Sequence, residues 1–292
     1  MCHLINLRMI DVCMVINNYT KVQIKDRINM SYDILVKQFC TPPITEETEF
    51  DRTTYDRACC LTIDFEGSEL KGYTMGTGPN VLLVHGWGSR ASHLALIARY
   101  IANNGFRAVV FDGPAHGDSK KMNGENLSNM FEIGRAISWV VNSIGETFAI
   151  IGHSIGGMAA AFTLLGKAHL SEYKIFAKKL ILINSPVSFA QSVENYSRKR
   201  DELNLCSKLA RGLENTFNFK ISDYDLSLAL QHLNSNVMMI HDEQDEEVPV
   251  ADVLALKNNH DEIVLKLTNG YGHQKNLINR RILSTIKEFL EN

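Results

Sequence analysis

From about Ala58 onward the chain alternates short apolar runs with stretches whose apolar residues return at helical spacing, and this alternation narrows its fold more than any other feature. CLTIDF and LKGYTMG stand on either side of Glu66-Gly67-Ser68 and read as an antiparallel hairpin. VLLVHG follows as a buried strand. Leu94, Ile97, Ala98 and Ile101 then fall at i, i+3, i+4 and i+7, and Gly105 closes that helix before the strand FRAVVF. A helix through Met130, Ile133, Ile137, Val140 and Ile144, the strand FAIIG, a helix from Ser154 and the strand LILIN extend the series. After a gap come VMMIH, a helix near Ala251 to Lys257, IVLKL, and a closing helix through Ile278, Ile282, Ile286 and Phe289. Strands separated by single helices predict an α/β fold, with a mostly parallel central sheet covered by helices on both faces. In such a sheet the reacting groups collect at the carboxyl ends of the strands.

Residues 1–57 stand apart from this pattern as an N-terminal helical extension to a main domain over 58–292. Ile24, Ile28, Leu35 and Phe39 recur at near-helical spacing, and the helix they imply must stop before Thr41-Pro42-Pro43, because a residue preceding proline is driven out of the helical region. The role of this extension is not readable from its residues. The opening stretch MCHLINLRMIDVCMVINN is interrupted by Arg8 and Asp11 and lacks a small-residue cleavage site, so it is a poor signal peptide. No stretch reaches the roughly 18 apolar residues of a membrane span, and a cytoplasmic location is the expectation by elimination. Six cysteines make no C-x-x-C pair and no dense framework, which reads as buried reduced thiols. With 30 basic against 33 acidic side chains the net charge is −3, so no polyanion-binding surface is implied and no nucleic acid partner is expected.

The chemistry starts where FAIIG runs into Gly152-His153-Ser154-Ile155-Gly156-Gly157, of the form G-x-S-x-G. Alone the pentapeptide is a weak signal. Its place between a buried strand and the helix MAAAFTLLG strengthens it, because that junction demands a sharp turn that the two glycines permit. Ser154 would then raise its hydroxyl above the sheet edge. A serine hydroxyl needs a base, and the base needs an orienting group. Two later loops follow strands in the required order, Asp242-Glu243-Gln244-Asp245-Glu246-Glu247-Val248-Pro249 after VMMIH, and Thr268-Asn269-Gly270-Tyr271-Gly272-His273 after IVLKL. Either Asp242 or Asp245 meets the need for an acid. Among His116, His241, His260 and His273, only His273 lies between the last strand and the last helix.

Five ordered elements carry a resemblance: His85-Gly86-Trp87-Gly88, Asp112-Gly113-Pro114-Ala115-His116-Gly117-Asp118-Ser119, GHSIGG, HDEQDEEVP and GYGH. On these, residues from about 60 to 292 resemble the α/β-hydrolase superfamily, and the chain is similar to bacterial hydrolases of that superfamily and, in its His-Gly-Trp-Gly opening, to short-chain carboxylesterases. The resemblance implies Ser154 as nucleophile, His273 as base and, from the D-x-x-V-P pattern, Asp245 as acid. It also implies an oxyanion hole from the backbone N–H groups of Trp87 and Ile155, although Trp87 also fits a plain packing role. Ala115 departs from the family pattern, which has glycine there; this constrains the loop and leaves the triad intact.

Bland alternatives accompany each assignment. Ser154 also suits a helix N-cap, the DEQDEE run also suits a solvated loop, and His85 and His153 read as supports for the loops beside the site. Arg198-Lys199-Arg200 reads first as a solvated helix face and second as a contact for an anionic substrate. The residues between LILIN and VMMIH have helical spacing, and in this superfamily such an insertion, here about 187–233, resembles a small helical cap. Its Phe189, Leu203, Leu205, Leu209, Leu213, Phe217 and Phe219 either pack on the core or line a pocket.

The expectation is therefore a serine hydrolase of carboxylesterase type acting on a small-molecule ester or thioester, with no cofactor, no metal and no membrane span. Amide hydrolysis, carbon–carbon bond hydrolysis and peracid formation use the same parts, and a binding protein on a hydrolase scaffold is the reading from another class.

Overall fold

The computed structural model describes residues 32–55, 58–119, 125–200 and 204–292. One eight-stranded sheet runs through it in the order β1-β2-β4-β3-β5-β6-β7-β8. β1 (Cys59–Phe65) and β2 (Ser68–Met75) form the expected hairpin, closed by Glu66 and Gly67, both at positive φ (51° and 79°) as a two-residue turn of this hand requires. β2 pairs antiparallel with β4 (Arg107–Phe111), and from β4 onward the sheet is parallel through β3 (Asn80–Val84), β5 (Thr147–His153), β6 (Lys179–Ile183), β7 (Asn236–Asp242) and β8 (Val264–Thr268). The central strands are buried on both faces, so their sequences are continuous apolar runs without alternation.

Alternate side chains of those strands feed two cores. On one face Val81, Leu83, Val110, Ile151 and Ile183 pack with α3 (Ala95–Ala102) and α11 (Arg280–Glu291). On the other Leu82, Val84, Ile150 and Leu182 pack with α4 (Met130–Ile144), α5 (Ile155–Leu165) and α9 (Val250–Asn259). Each fully buried Leu, Ile or Val contributes roughly 1.5–3 kcal/mol of transfer free energy, so these two layers dominate stability. The closing helix differs slightly from its sequence pattern: Ile278 lies before α11 in a 3-10 turn and is exposed, while Ile282, Ile286 and Leu290 form the buried stripe.

Between β6 and β7 the described residues are largely helical, with α6 (Phe189–Arg198), α7 (Leu205–Phe217) and α8 (Leu226–Ala229), and short 3-10 turns at Ile221–Asp223 and Leu230–His232. Leu205, Leu209, Leu213 and Phe219 are buried, as plain packing requires, while Phe189 is buried and also lines a pocket; Leu203 lies outside the described residues. Residues 32–39 form a helix, α1, which ends before the proline pair as expected; Ile24 and Ile28 lie outside the described residues. A short helix, α2 (Glu49–Thr54), follows it. Val36 of α1 is buried against α7 at Gly212, where any β-carbon would stand 2.9 Å from the valine methyl. Phe39 packs edge-on against Tyr196 and Phe189 of α6.

One sequence expectation needs correction. Of the described cysteines only Cys40 is buried, and burial pushes its thiol up to about 12; Cys59, Cys60 and Cys206 are free but exposed. The first pair sits on the outermost strand, where half of each residue's surroundings is solvent, and Cys206 lies on the outer side of α7.

Ala115 holds a left-handed φ of 61°, a conformation whose Cβ penalty is about 1–2 kcal/mol for a residue other than glycine. Ala115→Gly is expected to raise the unfolding free energy by about 1 kcal/mol in a urea titration, and no gain would mean that the loop relaxes when the methyl is removed.

Candidate active site

β5 ends at His153, and α5 begins two residues later, so Ser154 must turn the chain by itself. It does so at φ 53° and ψ −131°, a sparsely populated conformation costing about 1–3 kcal/mol. Main-chain bonds offset this: its N–H donates to the Ile183 carbonyl at 2.9 Å, and its own carbonyl accepts from Gly157 N at 3.0 Å. Helix and strand can approach this closely because Gly152 carries no side chain; a β-carbon there would lie 2.3 Å from the Gly157 α-carbon. The Ser154 side chain makes no N-cap bond, which removes that reading. Its Oγ instead stands 3.0 Å from His273 Nε2.

His273 lies on α10 (Gly272–Lys275), directly after the β8 loop. Its Nδ1–H donates to Asp245 Oδ2 at 2.8 Å, and the other oxygen of that carboxylate accepts from the Glu247 and Val248 amides at 2.8 and 2.9 Å. Burial opposes the charge on Asp245, but the hydrogen bond and charge of His273, with the two amides, outweigh it and hold the carboxyl below its usual range. The structure thus brings Ser154, His273 and Asp245 together from the ends of β5, β8 and β7.

Asp242, the other acid considered, faces away from this array. Its carboxylate accepts from the Thr268 hydroxyl (2.7 Å) and from the amides of Gln244, Tyr271 and Gly272 (3.0, 3.1 and 2.9 Å), so it ties the acid loop to the histidine loop. Gly272 can take part because its φ of 60° suits a residue without a β-carbon. Burial works against the Asp242 charge, yet these four donors depress its carboxyl below the ordinary value.

Asn184, at the end of β6, was not singled out by the sequence, and its position just past an apolar strand was the only signal. Fully buried, it donates from Nδ2 to the carbonyls of Gly272 (2.9 Å) and His273 (2.8 Å) and accepts at Oδ1 from Asp242 N (3.1 Å). His153 Nε2–H donates to the same His273 carbonyl at 2.8 Å. His85 supports its loop as expected: Nδ1–H donates to Gly86 O at 2.7 Å, and Nε2 accepts from Gly113 N at 2.8 Å. His116 and His260 serve elsewhere, bonded to the carbonyls of Pro114 and Ser227, while His241 is bonded to the Val248 carbonyl with its Nε2 3.8 Å from Asp245 Oδ2.

The loop after β3 passes directly over the serine, since a β-carbon on Gly86 would lie 3.0 Å from Ser154 Cβ. Trp87 and Ile155 line the same cavity as Ser154 and His273. Ile155 is the first residue of α5, a position whose amide has no intrahelical acceptor, and among the described residues neither its N–H nor that of Trp87 donates to another protein group. The loop is braced by the N-terminal extension: Thr45 donates to the Gly88 carbonyl, and buried Arg90 pairs with Asp118 at 2.9 Å and approaches Glu47 at 3.8 Å. The cavity, about 230 Å³, is walled by apolar Phe39, Met130 and Phe189 and by polar Ser192, Asn195 and Lys199. Phe39 is a second residue that sequence reading missed, because it belongs to the extension whose role was unreadable.

The model of the alpha/beta hydrolase family matches residues 81–262. A curated relative, the pimeloyl-[acyl-carrier protein] methyl ester esterase of Pseudoalteromonas atlantica, is 29% identical over 96 residues, which cover 33% of this chain and 35% of that protein. Among solved structures, the thioesterase domain from the curacin biosynthetic pathway superposes with a TM-score of 0.59 at 16% identity, covering 81% of this chain and all (100%) of that one. An esterase from Exiguobacterium antarcticum gives 0.61 at 16% identity, covering 80% of this chain and 100% of its own. At these identities the structural likeness speaks to the fold alone. No helix among the described residues is long and apolar enough to cross a membrane.

Four buried histidines shape the pH response. Burial pushes His153 down to about 3, helped by the nearby His273 charge, and His116 down to about 4; burial also lowers His85 and His241. The unfolded chain protonates these groups near pH 6.5 while the fold does not, so the unfolded state binds more protons and stability is lost as pH falls below that value. Asp112, raised to about 6 by burial, acts in the opposite sense, losing stability as pH rises toward 6, but it is one group against four. The urea midpoint is expected to drop between about pH 7.5 and about pH 5. A level or rising midpoint would contradict neutral buried imidazoles.

Proposed function

The chain belongs to the alpha/beta hydrolase family, and on that premise we propose that it is a serine hydrolase that cleaves a carboxylic ester, or the chemically similar thioester, through Ser154, His273 and Asp245. The observation that carries this reading is the single imidazole within hydrogen-bond reach of both an alcohol and a buried carboxylate, at 3.0 and 2.8 Å, beneath a cavity. Esterases and a thioesterase among the similar proteins agree with it.

In this mechanism Ser154 Oγ attacks the substrate carbonyl while His273 Nε2 takes its proton. Asp245 keeps the other ring nitrogen protonated and stabilises the imidazolium that forms. The amides of Trp87 and Ile155 hold the developing oxyanion, where loss of one donor typically costs about 10² to 10³ in turnover. His273 then protonates the leaving alcohol or thiol, an acyl-enzyme remains on Ser154, and water activated by the same imidazole releases the acid. The insertion between β6 and β7 acts as a small cap whose α6 face, with Phe39 of the N-terminal extension, shapes the pocket. The substrate is a small molecule, of a size that a cavity of about 230 Å³ takes.

A fluorophosphonate probe should label the protein at Ser154, and Ser154→Ala should abolish labelling. Ser154→Ala and His273→Ala should each remove nearly all turnover of p-nitrophenyl esters with circular dichroism unchanged. Asp245→Asn should lower turnover by about 10³ to 10⁴, because the imidazole would lose its tautomer control. Undiminished turnover in any of the three would refute the assignment.

A further inference from the structure

We propose that the pocket accepts an ester or thioester carrying a monoanionic group, a carboxylate, away from the scissile carbonyl, and that Lys199 and Arg200 hold that group; this rests on the serine hydrolase reading. Ser192, Asn195, Tyr196, Lys199 and Arg200 line the pocket together with Ser154 and His273, and all lie on one face of α6 and its immediate continuation. Along that face the wall changes in character, from Phe189 through the polar Ser192 and Asn195 to the two cations, over a helical rise of roughly 15 Å. A substrate lying against it therefore meets apolar, then neutral polar, then positive surface. That order matches a chain with an acidic end, in a protein whose overall charge is −3.

Both cations are placed rather than merely near. The Arg200 guanidinium lies 3.5 Å above the Tyr196 ring and donates to the Tyr196 carbonyl at 3.0 Å, while Tyr196 is itself packed against Phe39. Lys199 Nζ stands 3.6 Å from Glu247 Oε2, and the same oxygen is 3.9 Å from His273 Nε2. One carboxylate thus links the cationic rim to the imidazole. Among the described residues that line the pocket, two cations against Glu247 leave one positive unit at the rim. A carboxylate balances that unit, whereas a phosphate monoester, with close to two negative charges at neutral pH, overfills it. Both cations are exposed and act in screened surroundings, so the preference they confer is modest and sensitive to salt.

The test uses matched esters over a range of methylene spacers, each half-ester of a dicarboxylic acid paired with a neutral chain of equal length, and a second series with the carboxylate on the alcohol side. The wild-type protein should favour the anionic member in one series, chiefly through KM, and that series tells which half of the substrate bears the anion. Lys199→Gln with Arg200→Gln should reduce the anionic-to-neutral ratio of kcat/KM about tenfold. Arg211→Gln, a charge change on the exposed side of α7 away from the pocket, should leave the ratio unaltered. Titration calorimetry of the same half-esters on Ser154→Ala reads binding without turnover, so the subsite stands or falls apart from the chemistry. No anionic preference in either series, or one that survives loss of both cations, overturns the subsite. Absent fluorophosphonate labelling and absent turnover of neutral esters overturn the serine hydrolase reading instead, whatever the calorimetry gives.

Discussion

The backbone carbonyl of His273 is the point on which the site's geometry depends. It accepts at 2.8 Å from Asn184 at the end of β6 and at 2.8 Å from His153 at the end of β5, so two neighbouring strands grip the loop that carries the imidazole. A ring fixed only by its own side-chain torsions would swing through several ångströms. With its carbonyl held and Nδ1 bound to Asp245, the ring has one orientation, and Nε2 meets an alcohol 119 residues earlier in the chain. These bonds are buried, where each is stronger than in water and an unpaired donor costs more, so the clamp favours a single arrangement.

Strain at Ser154 belongs to the same construction. Its φ of 53° exposes the hydroxyl instead of turning it back onto the helix amides, and this is the physical difference between an available oxygen and an N-cap. The close packing around Gly152 and the bonds from Ser154 to Ile183 and Gly157 keep the conformation from relaxing. Asp242 contributes in another way, joining the loop of Asp245 to the loop of His273 with four accepted bonds.

The walls of the cavity come from parts of the chain with little in common. α6 supplies the face running from Phe189 to the basic rim, the N-terminal extension supplies Phe39, and the β3 loop supplies Trp87. The extension does more than cover a side: through Thr45 and Glu47 it braces the loop that carries Trp87. Packing between α1 and α7 at Gly212 couples the extension to the insertion, so the shape of the pocket is set by their mutual fit.

What the residues alone determined was the layering and the order of the site. Apolar runs separated by amphipathic helices require a parallel sheet with two covered faces, and Gly-His-Ser-Ile-Gly at a strand-to-helix junction requires a sharp turn, because hydrophobic burial and backbone sterics act locally and leave a periodic trace. Asp242 and Asp245 could not be separated by such rules, only by resemblance, since both follow the same strand; tertiary packing sent one to the imidazole and the other to four loop donors. Asn184 left no periodic trace, Phe39 showed only the helical spacing of its segment and not the cavity it would wall, and the exposure of Cys59 and Cys60 followed from β1 lying at the sheet edge. These outcomes rest on contacts between segments distant in sequence, and such contacts are decided by how the layers fit together in three dimensions.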